Sequence, residues 1–313
     1  MKQVWGFGSA CVDIRLTTAD YGPAYTTKLL AQETRLQGGG ACANCLTQVA
    51  RLGGRAAWLG KVGDDALGAL ILRQLQEERV DTSHALVAPN ALSPFNVAVY
   101  AGTQWRRVGG YLLPNCLRDL TYNELWNFCA TMSPGDIAYC EIGEIPLELC
   151  EMFVRLAKAK SAVIMLDVDL DPIFQCGGTE AQAHRLLDLC DYLLPNTEAM
   201  QSLCHTVQAE EVLRELNRAY QALTIVTAGS KGAYLMRNGQ PVNIAAPMVT
   251  PVDTVGAGDA FHGGVAYGLA AGWPIERAVW LGCLCGARNC LAEGARNGML
   301  RADEFQIRED WQA

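Results

Sequence analysis

The chain has 313 residues, half of them hydrophobic and 19% charged, an ordinary globular composition at a length that α/β folds reach as one domain. Its net charge of −8 argues against a broad nucleic-acid footprint or an anionic membrane surface, while leaving room for a small anionic ligand in a locally positive site. The 13 cysteines are an odd number set mostly in apolar runs, which reads as reduced core thiols in a cytoplasmic protein rather than a disulfide framework. Cys42 and Cys45 form a C-x-x-C with no second matched pair, so a zinc site is not indicated. No run approaches the roughly 18 apolar residues of a membrane span.

In chain order, "QVWGFGSA" reads as a first strand rather than a signal peptide, followed by a helix over 41–54 closed by glycine. "AAWLGKVG" (56–63) reads as a strand. Residues 65–80 read as an amphipathic helix with Leu67, Leu70, Ile71 and Leu75 on one stripe. A strand is expected over 136–143, a helix over 147–160, and strands over 162–170 and 192–196 with a helix at 180–190 between them. Residues 222–240 read as strand, turn and strand ending at Asn238-Gly239, and two helical stretches close the chain at 260–272 and 275–292. Short apolar strands alternating with helices predict βαβ units and a largely parallel sheet. Residues 14–36 and 93–112 break that rhythm as alternating strands and turns, which predicts a small sheet, a lid, above the main one. The expected organisation is a single α/β domain over residues 1–313.

In open α/β sheets ligands bind beyond the C-terminal ends of the strands. The motif "PVDTVGAGDAFHGG" (251–264) places Gly256 and Gly258 before a helix that starts with Asp259. Amides there converge on an anion, and a carboxylate can act as a base, which are the main requirements of phosphoryl transfer. A helix-capping Asp after a glycine turn accounts for the same spacing. "QGGGACANC" (37–45) sets three glycines before a helix with Asn44 facing outward from its first turn. Asp13, taken as the end of the first strand, is placed to accept from substrate hydroxyls. In "LLPNTEAM" Asn196 and Glu198 suit a hydrated Mg²⁺, or a helix cap. "TAGSKGA" (227–233) is a turn that either faces nucleotide phosphates or simply joins two strands.

Taken together and in this order, "GGGACANCLTQVARLGGRAAWLGKVGDDALG", "PNTEA", "VTAGSKGA", "DTVGAGDAFHGG" and the tail "EGARNGM" resemble the motifs of the ribokinase (PfkB-type) carbohydrate kinases, over residues 4 to about 300. The resemblance implies a Rossmann-like three-layer sandwich, a central sheet between helices with a β-strand lid, that transfers the ATP γ-phosphate to a sugar hydroxyl with Mg²⁺. Carried over by motif, Asp259 is the base and the amides of Gly256, Ala257 and Gly258 form the anion hole. Asp13, Gly39, Gly40 and Asn44 bind the sugar, with Lys61 near it. Asn196 and Glu198 organise Mg²⁺ and phosphates, Glu198 through water. Thr227, Gly229 and Gly232 line the nucleotide site, and Asn289 lies on the adenine side. Some members also bind a monovalent cation beside the anion hole, which makes Asp253 the carboxylate for K⁺. Lid strands of some relatives pair between subunits, which implies a homodimer.

Arg106 and Arg107, adjacent in the lid, either grip an anionic substrate group, cover ATP or sit in solvent. His262 reads as a helix residue near the nucleotide. A nucleoside kinase of the same fold and a non-catalytic sugar sensor are the alternatives, the latter disfavoured by the presence of Asp259 and its glycines. "GFGSAC" lacks the third glycine of a dinucleotide fingerprint, which disfavours an NAD-linked oxidoreductase. The motifs leave the sugar itself open.

Overall fold

The computed structural model describes residues 1–19, 30–101, 104–109, 116–143, 145–173 and 175–304, with the backbone alone for 104–109 and 117. The chain opens with β1 (Gln3–Phe7), β2 (Cys11–Thr18), β3 (Glu33–Gly39), α1 (Ala41–Arg51), β4 (Arg55–Leu59), β5 (Lys61–Gly63), α2 (Ala66–Glu77) and β6 (Leu86–Ala88). It continues through β7 (Phe95–Ala101), β8 (Gln104–Gly109), α3 (Tyr122–Ala130), β9 (Ile137–Ile142), α4 (Leu147–Ala159), β10 (Val163–Val168), α5 (Glu180–Leu187) and β11 (Tyr192–Pro195). The last third holds α6 (Gln201–Cys204), α7 (Ala209–Ala219), β12 (Leu223–Thr227), β13 (Ala233–Arg237), β14 (Gln240–Ile244), α8 (Ala257–Ala270) and α9 (Ile275–Asn289).

The main sheet runs β14-β13-β12-β11-β10-β9-β1-β4. Every pair from β4 to β12 is parallel, and β13 and β14 add an antiparallel edge. Its central strands are apolar on both faces because both are covered. Trp5, Phe7, Ala138, Cys140, Ile164 and Leu166 pack with α3, α4, α5 and α7. Val4, Tyr139, Met165, Leu194 and Ile225 pack with α1, α2, α8 and α9. Alternation along each strand therefore builds two cores, and the result is the three-layer α/β fold expected from the sequence. The chain leaves β1 toward β4 on one side, and β9 takes the place on the other, so the order reverses between β1 and β9. That crevice is where such sheets bind ligands.

The second sheet, β3-β2-β7-β8, is the lid. Its strands run from Cys11 to Gly39 and from Phe95 to Gly109, wider at the first end than the expected 14–36, because β1 stops at Phe7 and the chain re-enters a strand at Cys11. Residues 20–29, 102–103 and 110–112 of the expected lid lie outside the described residues. The strand expected over 56–63 is likewise two. β4 joins the main sheet, while β5 pairs with β6 in a small parallel ribbon. Gly60 divides them: a Cβ there would fall 1.8 Å from the Trp58 indole, which crosses the backbone to donate from Nε1 to the Gly8 carbonyl at 3.1 Å.

Helix ends follow local chemistry. Asp65 caps α2 by accepting from the Gly68 N–H at 2.7 Å, and Thr121 and Thr179 form capping boxes at α3 and α5. Among the described residues no helix is long and apolar enough to cross a membrane.

Candidate active site

Three elements meet at the C-terminal end of β1. Ser9, fully buried in the turn after β1, donates its N–H to Glu141 Oε1 on β9 at 2.7 Å. Its Oγ and carbonyl accept from the N–H groups of Ala41 and Ala43, each at 3.0 Å. Those are first-turn amides of α1, whose own N-cap, Gly40, has no side chain to satisfy them. The turn before the lid thus caps the helix that carries Asn44, and buried Glu141 holds the turn.

Asp13 is the third residue of β2, a lid strand, rather than the end of the first strand. Its Oδ1 accepts from Asn96 Nδ2 on β7 at 3.2 Å. Across the β2–β3 ladder, a Cβ on Gly39 would meet Asp13 Oδ2 at 2.4 Å, so the carboxylate can lie there only because residue 39 is glycine. Asn44 does not face outward. It is 3% exposed, and its Nδ2 donates to Asp259 Oδ2 at 2.7 Å.

Asp259 stands in the first turn of α8. Gly256, the N-cap, has φ 76° and a backbone so close to residue 295 that a Cβ would meet the Ala295 carbonyl oxygen at 2.4 Å. A Cβ on Gly258 would meet nothing within 4 Å, so the space before the helix is open. The Ala257 N–H donates to the Thr254 carbonyl at 3.2 Å, whereas no backbone carbonyl among the described residues accepts from Gly256 or Gly258. The helix therefore presents orphan donors and its positive dipole end beside a carboxylate. Desolvation pushes the Asp259 carboxyl up to about 7, with the negative charges of Asp169 and Asp167 adding, and the Asn44 hydrogen bond and His262 opposing.

Behind Asp259 lies a cluster that the motifs did not single out. Ligand atoms of Asp259, Asp167 and His262 fall within 4.8 Å of one another. Asp167 on β10 accepts the Tyr139 hydroxyl on Oδ2 at 2.8 Å. His262 Nδ1 lies 2.9 Å from that same oxygen but out of line for a hydrogen bond, and both ring nitrogens are buried without one. Burial lowers the His262 pKa while Asp167 and Asp259 raise it, and the acids prevail. His262 is thus a buried neighbour of the carboxylates. Its position three residues after Asp259 on one helix was the available signal.

Asp253 closes the loop after α9. Its Oδ1 accepts from the Val255 N–H at 3.1 Å and its Oδ2 from the Gly294 N–H at 3.0 Å. Arg15, stacked over Tyr100 with its guanidinium carbon 3.6 Å from the ring centroid, pairs with the same Oδ2 at 3.4 Å. Asn289 is fully buried and donates from Nδ2 to the Val255 carbonyl at 3.0 Å, so its amide holds the loop before α8.

Asn196 and Thr227 are bridge partners at the ends of β11 and β12. Asn196 Oδ1 accepts from the Ala199 N–H at 2.8 Å, and its Nδ2 donates to the Asp169 carbonyl at 3.0 Å. The Thr227 hydroxyl donates to the Pro195 carbonyl at 3.4 Å. Gly229 and Gly232 have φ 56° and 89° in the turn that follows, and Glu198 is exposed. A helix starting at Thr197 does not form; a turn leads into the short α6.

Lys61 does not turn to these groups. Its ammonium pairs with Glu124 at 3.5 Å and reaches the Asp119 carbonyl at 3.5 Å. Arg107 and Arg106 sit on β8 opposite Ala98 and Val99, and their side chains lie outside the described residues. The cavity under the lid, lined by Asp13, Arg15, Gln37, Asn96 and Asp253, measures about 30 Å³. A larger one of about 630 Å³ opens at the opposite end of the sheet, lined by Lys2, Trp5, Arg55 and Asp136, away from every motif.

Residues 1–302 match the family model described as pfkB family carbohydrate kinase. The chain is similar to the fructokinase of Vibrio alginolyticus, 29% identical over 313 residues that cover 96% of each chain. It is 26% identical over 307 residues to the ribokinase of Bacillus subtilis (strain 168), covering 98% of this chain and 99% of the relative. In fold it is similar to the crystal structure of ribokinase from Thermotoga maritima, with a TM-score of 0.81 at 23% identity over 97% of this chain and 98% of the other. With a family match across almost its whole length, this chain belongs to the pfkB family of carbohydrate kinases, phosphotransferases that use an alcohol group as acceptor.

Proposed function

We propose that the chain transfers the γ-phosphoryl group of ATP to a hydroxyl of a sugar or sugar derivative, with Asp259 as the base. The observation that carries this reading is Asp259 itself: a desolvated carboxylate with a carboxyl at about 7, in the first turn of a helix at whose start the Gly256 and Gly258 amides lack backbone carbonyl acceptors among the described residues. Asp259 takes the hydroxyl proton as that oxygen bonds to Pγ. The bond from Pγ to the bridging oxygen breaks, and ADP leaves with the electron pair. The N–H groups of Gly256, Ala257 and Gly258 face the charge on the moving group, Ala257 after giving up Thr254.

Asp13, Gly39, Gly40 and Asn44 hold the acceptor. Lys61, Arg106 and Arg107 are the cationic candidates at its edge, Lys61 at the expense of its pairing with Glu124. The cavity under the lid, lined by Asp13, Arg15, Gln37, Asn96 and Asp253, is where the acceptor would sit. Asn196, Thr227, Gly229 and Gly232 form the nucleotide side, with Asn289 supporting it from beneath. Mg²⁺ neutralises phosphate charge when it arrives with ATP, and the exposed carboxylate of Glu198 suits its hydration shell. For a monovalent cation, Asp253 offers a carboxylate already engaged on both oxygens and shared with Arg15, so K⁺ has at most a supporting part. We read residues 1–313 as one unit, and the solvent-exposed edge of β3 as the strand along which a second copy would pair.

An ADP-release screen over ketoses, aldoses, sugar acids and nucleosides tests the reading and names the acceptor. The Asp259→Asn variant is expected to keep its ATP affinity and lose most turnover. Undiminished turnover in that variant would remove Asp259 from the base role.

A further inference from the structure

We propose that Arg296 is a positioning residue for the base, acting through Asn44; this rests on the reading of Asp259 as that base. Arg296 follows α9 and sends its guanidinium beneath the glycine loop, where it is 8% exposed. Its Nε donates to Asn44 Oδ1 at 2.6 Å, and its Nη2 donates to the Gly39 carbonyl at 3.0 Å. A Cβ on Gly38 would fall 2.4 Å from Nη1, so the guanidinium lies flat against that backbone. Arg51, paired with Glu78, donates to the Arg296 carbonyl and fixes the main chain at this point.

The consequence follows from what each group can do. A carboxamide has a donating and an accepting end of nearly the same shape, and rotation by half a turn exchanges them. Turned one way, Asn44 donates to Asp259; turned the other, it aims a carbonyl oxygen at a carboxylate. A guanidinium only donates. With Arg296 Nε against Asn44 Oδ1, the amide has one admissible orientation, and its NH₂ must point at Asp259 Oδ2. The three residues form a one-way chain of donors from a buried cation to the base. No carboxylate among the described residues accepts from this guanidinium; its acceptors are an amide oxygen and a main-chain carbonyl. Glu78 and Asp13 act on the guanidinium through space without accepting from it, and a loop that needed only a hydrogen bond would be served by a neutral side chain. The charge does something a neutral donor would not: it polarises Asn44 and strengthens the bond that favours ionised Asp259.

Other charged and titratable groups face Asp259 as well: Asp167 and Asp169 from the β10 side, His262 from α8, and the thiols of Cys42 and Cys45 from α1. None accepts a hydrogen bond from Arg296, so replacing Arg296 changes one input to the base and leaves these in place.

The experiment compares wild type, Arg296→Lys and Arg296→Ala in the ATP-dependent phosphorylation of the acceptor found by the screen, with kcat, both KM values and the pH dependence of kcat/KM. The expected result for Arg296→Lys, which keeps the charge but loses the two-pronged contact, is a kcat lower by about 10- to 100-fold, an unchanged ATP KM, and an acid limb displaced to higher pH. In Arg296→Ala, millimolar guanidinium restores part of kcat and methylammonium does not; the neighbouring cavity lined by Gly38, Arg51 and Arg296 gives it entry. In an Asn44→Ala background, Arg296→Lys moves the acid limb no further, a comparison that holds even if Arg296→Ala fails to fold. An unmoved acid limb in Arg296→Lys, or a further shift in the Asn44→Ala background, overturns the proposal. An active Asp259→Asn removes the base reading. An inactive Asp259→Asn beside an unmoved limb in Arg296→Lys removes this inference alone.

Discussion

The side of the cleft proposed for the acceptor and the side proposed for the nucleotide are built by different means. On the acceptor side polar contacts span the chain: Ser9 to Glu141 across 132 positions, Asn44 to Asp259 across 215, and Arg296 to Asn44 across 252. Their groups are buried or partly buried, and each of these pairs joins residues distant in the chain. On the nucleotide side Asn196 serves an amide three residues on, the glycines of 229–232 stand in a turn, and Glu198 is in solvent. A proton must be taken from one hydroxyl at one place, so the first side is fixed by long-range packing. Phosphates and a hydrated ion tolerate adjustment, and local turns suffice for them.

If that contrast is right, damage on the acceptor side is the more severe. The largest effect is expected for Asp259→Asn, a loss of about 10²- to 10⁴-fold in kcat/KM, the usual contribution of a general base. In the wild type, activity should fall about tenfold per pH unit below about 7, where Asp259 takes up its proton. Stability should move the other way. Because the folded carboxyl sits near 7 against 3.8 in the unfolded chain, the native state holds the proton more tightly, and stability falls as pH rises from about 4 to about 7. Asp259→Asn should therefore melt higher than wild type at pH 8, and the difference should close by about pH 4. Equal melting temperatures at pH 8 would contradict the desolvated carboxylate.

Gly39→Ala ranks next. Its Cβ would displace the Asp13 carboxylate, and overpacking of this kind costs about 1–3 kcal/mol, about fivefold or more in the acceptor KM, with the ATP KM unchanged. An acceptor KM that stays at the wild-type value would separate Asp13 from sugar binding. The Arg15 pairing gives a smaller effect: the advantage of potassium over tetramethylammonium should be greater in Arg15→Met than in wild type, since a fixed cation is removed from Asp253. An equal advantage in both would mean that Arg15 does not share the cation's place.

The same contrast explains what could be read from the sequence. Glycines and polar residues within one turn of each other carry their meaning locally, which is why the loops around Gly256, Gly39 and Asn196 were legible as loops at the ends of strands or the starts of helices. The parallel sheet was legible because strands covered on both faces are uniformly apolar. Helix α7 was equally open to inspection, with Val212, Leu213 and Leu216 on one face, and was not assigned. Ser9, Glu141, Asp167 and Arg296 could not be found by spacing, since nothing near them in the chain reveals the partner more than a hundred residues away or across the sheet. The outward Asn44 failed because local periodicity says which way a side chain leaves its helix, not what another element has packed there. The single strand over 56–63 failed because the Trp58 ring needs the room that Gly60 leaves.

The smallest expected effect lies on the nucleotide side and tests the comparison most directly. Asn196→Ala removes the acceptor for the Ala199 N–H and the donor to the Asp169 carbonyl. Both contacts are part-exposed or exposed, so water can replace the missing partner, and the loss is about 1 kcal/mol rather than the cost of a stranded buried group. Spread over a turn that also holds Glu198, this should raise the ATP KM by about fivefold, leave kcat nearly intact and leave the pH of the acid limb where it is. A displaced acid limb in Asn196→Ala would show that the two sides are mechanically joined through the Asp169 backbone, and that the local character assigned to the nucleotide side is wrong.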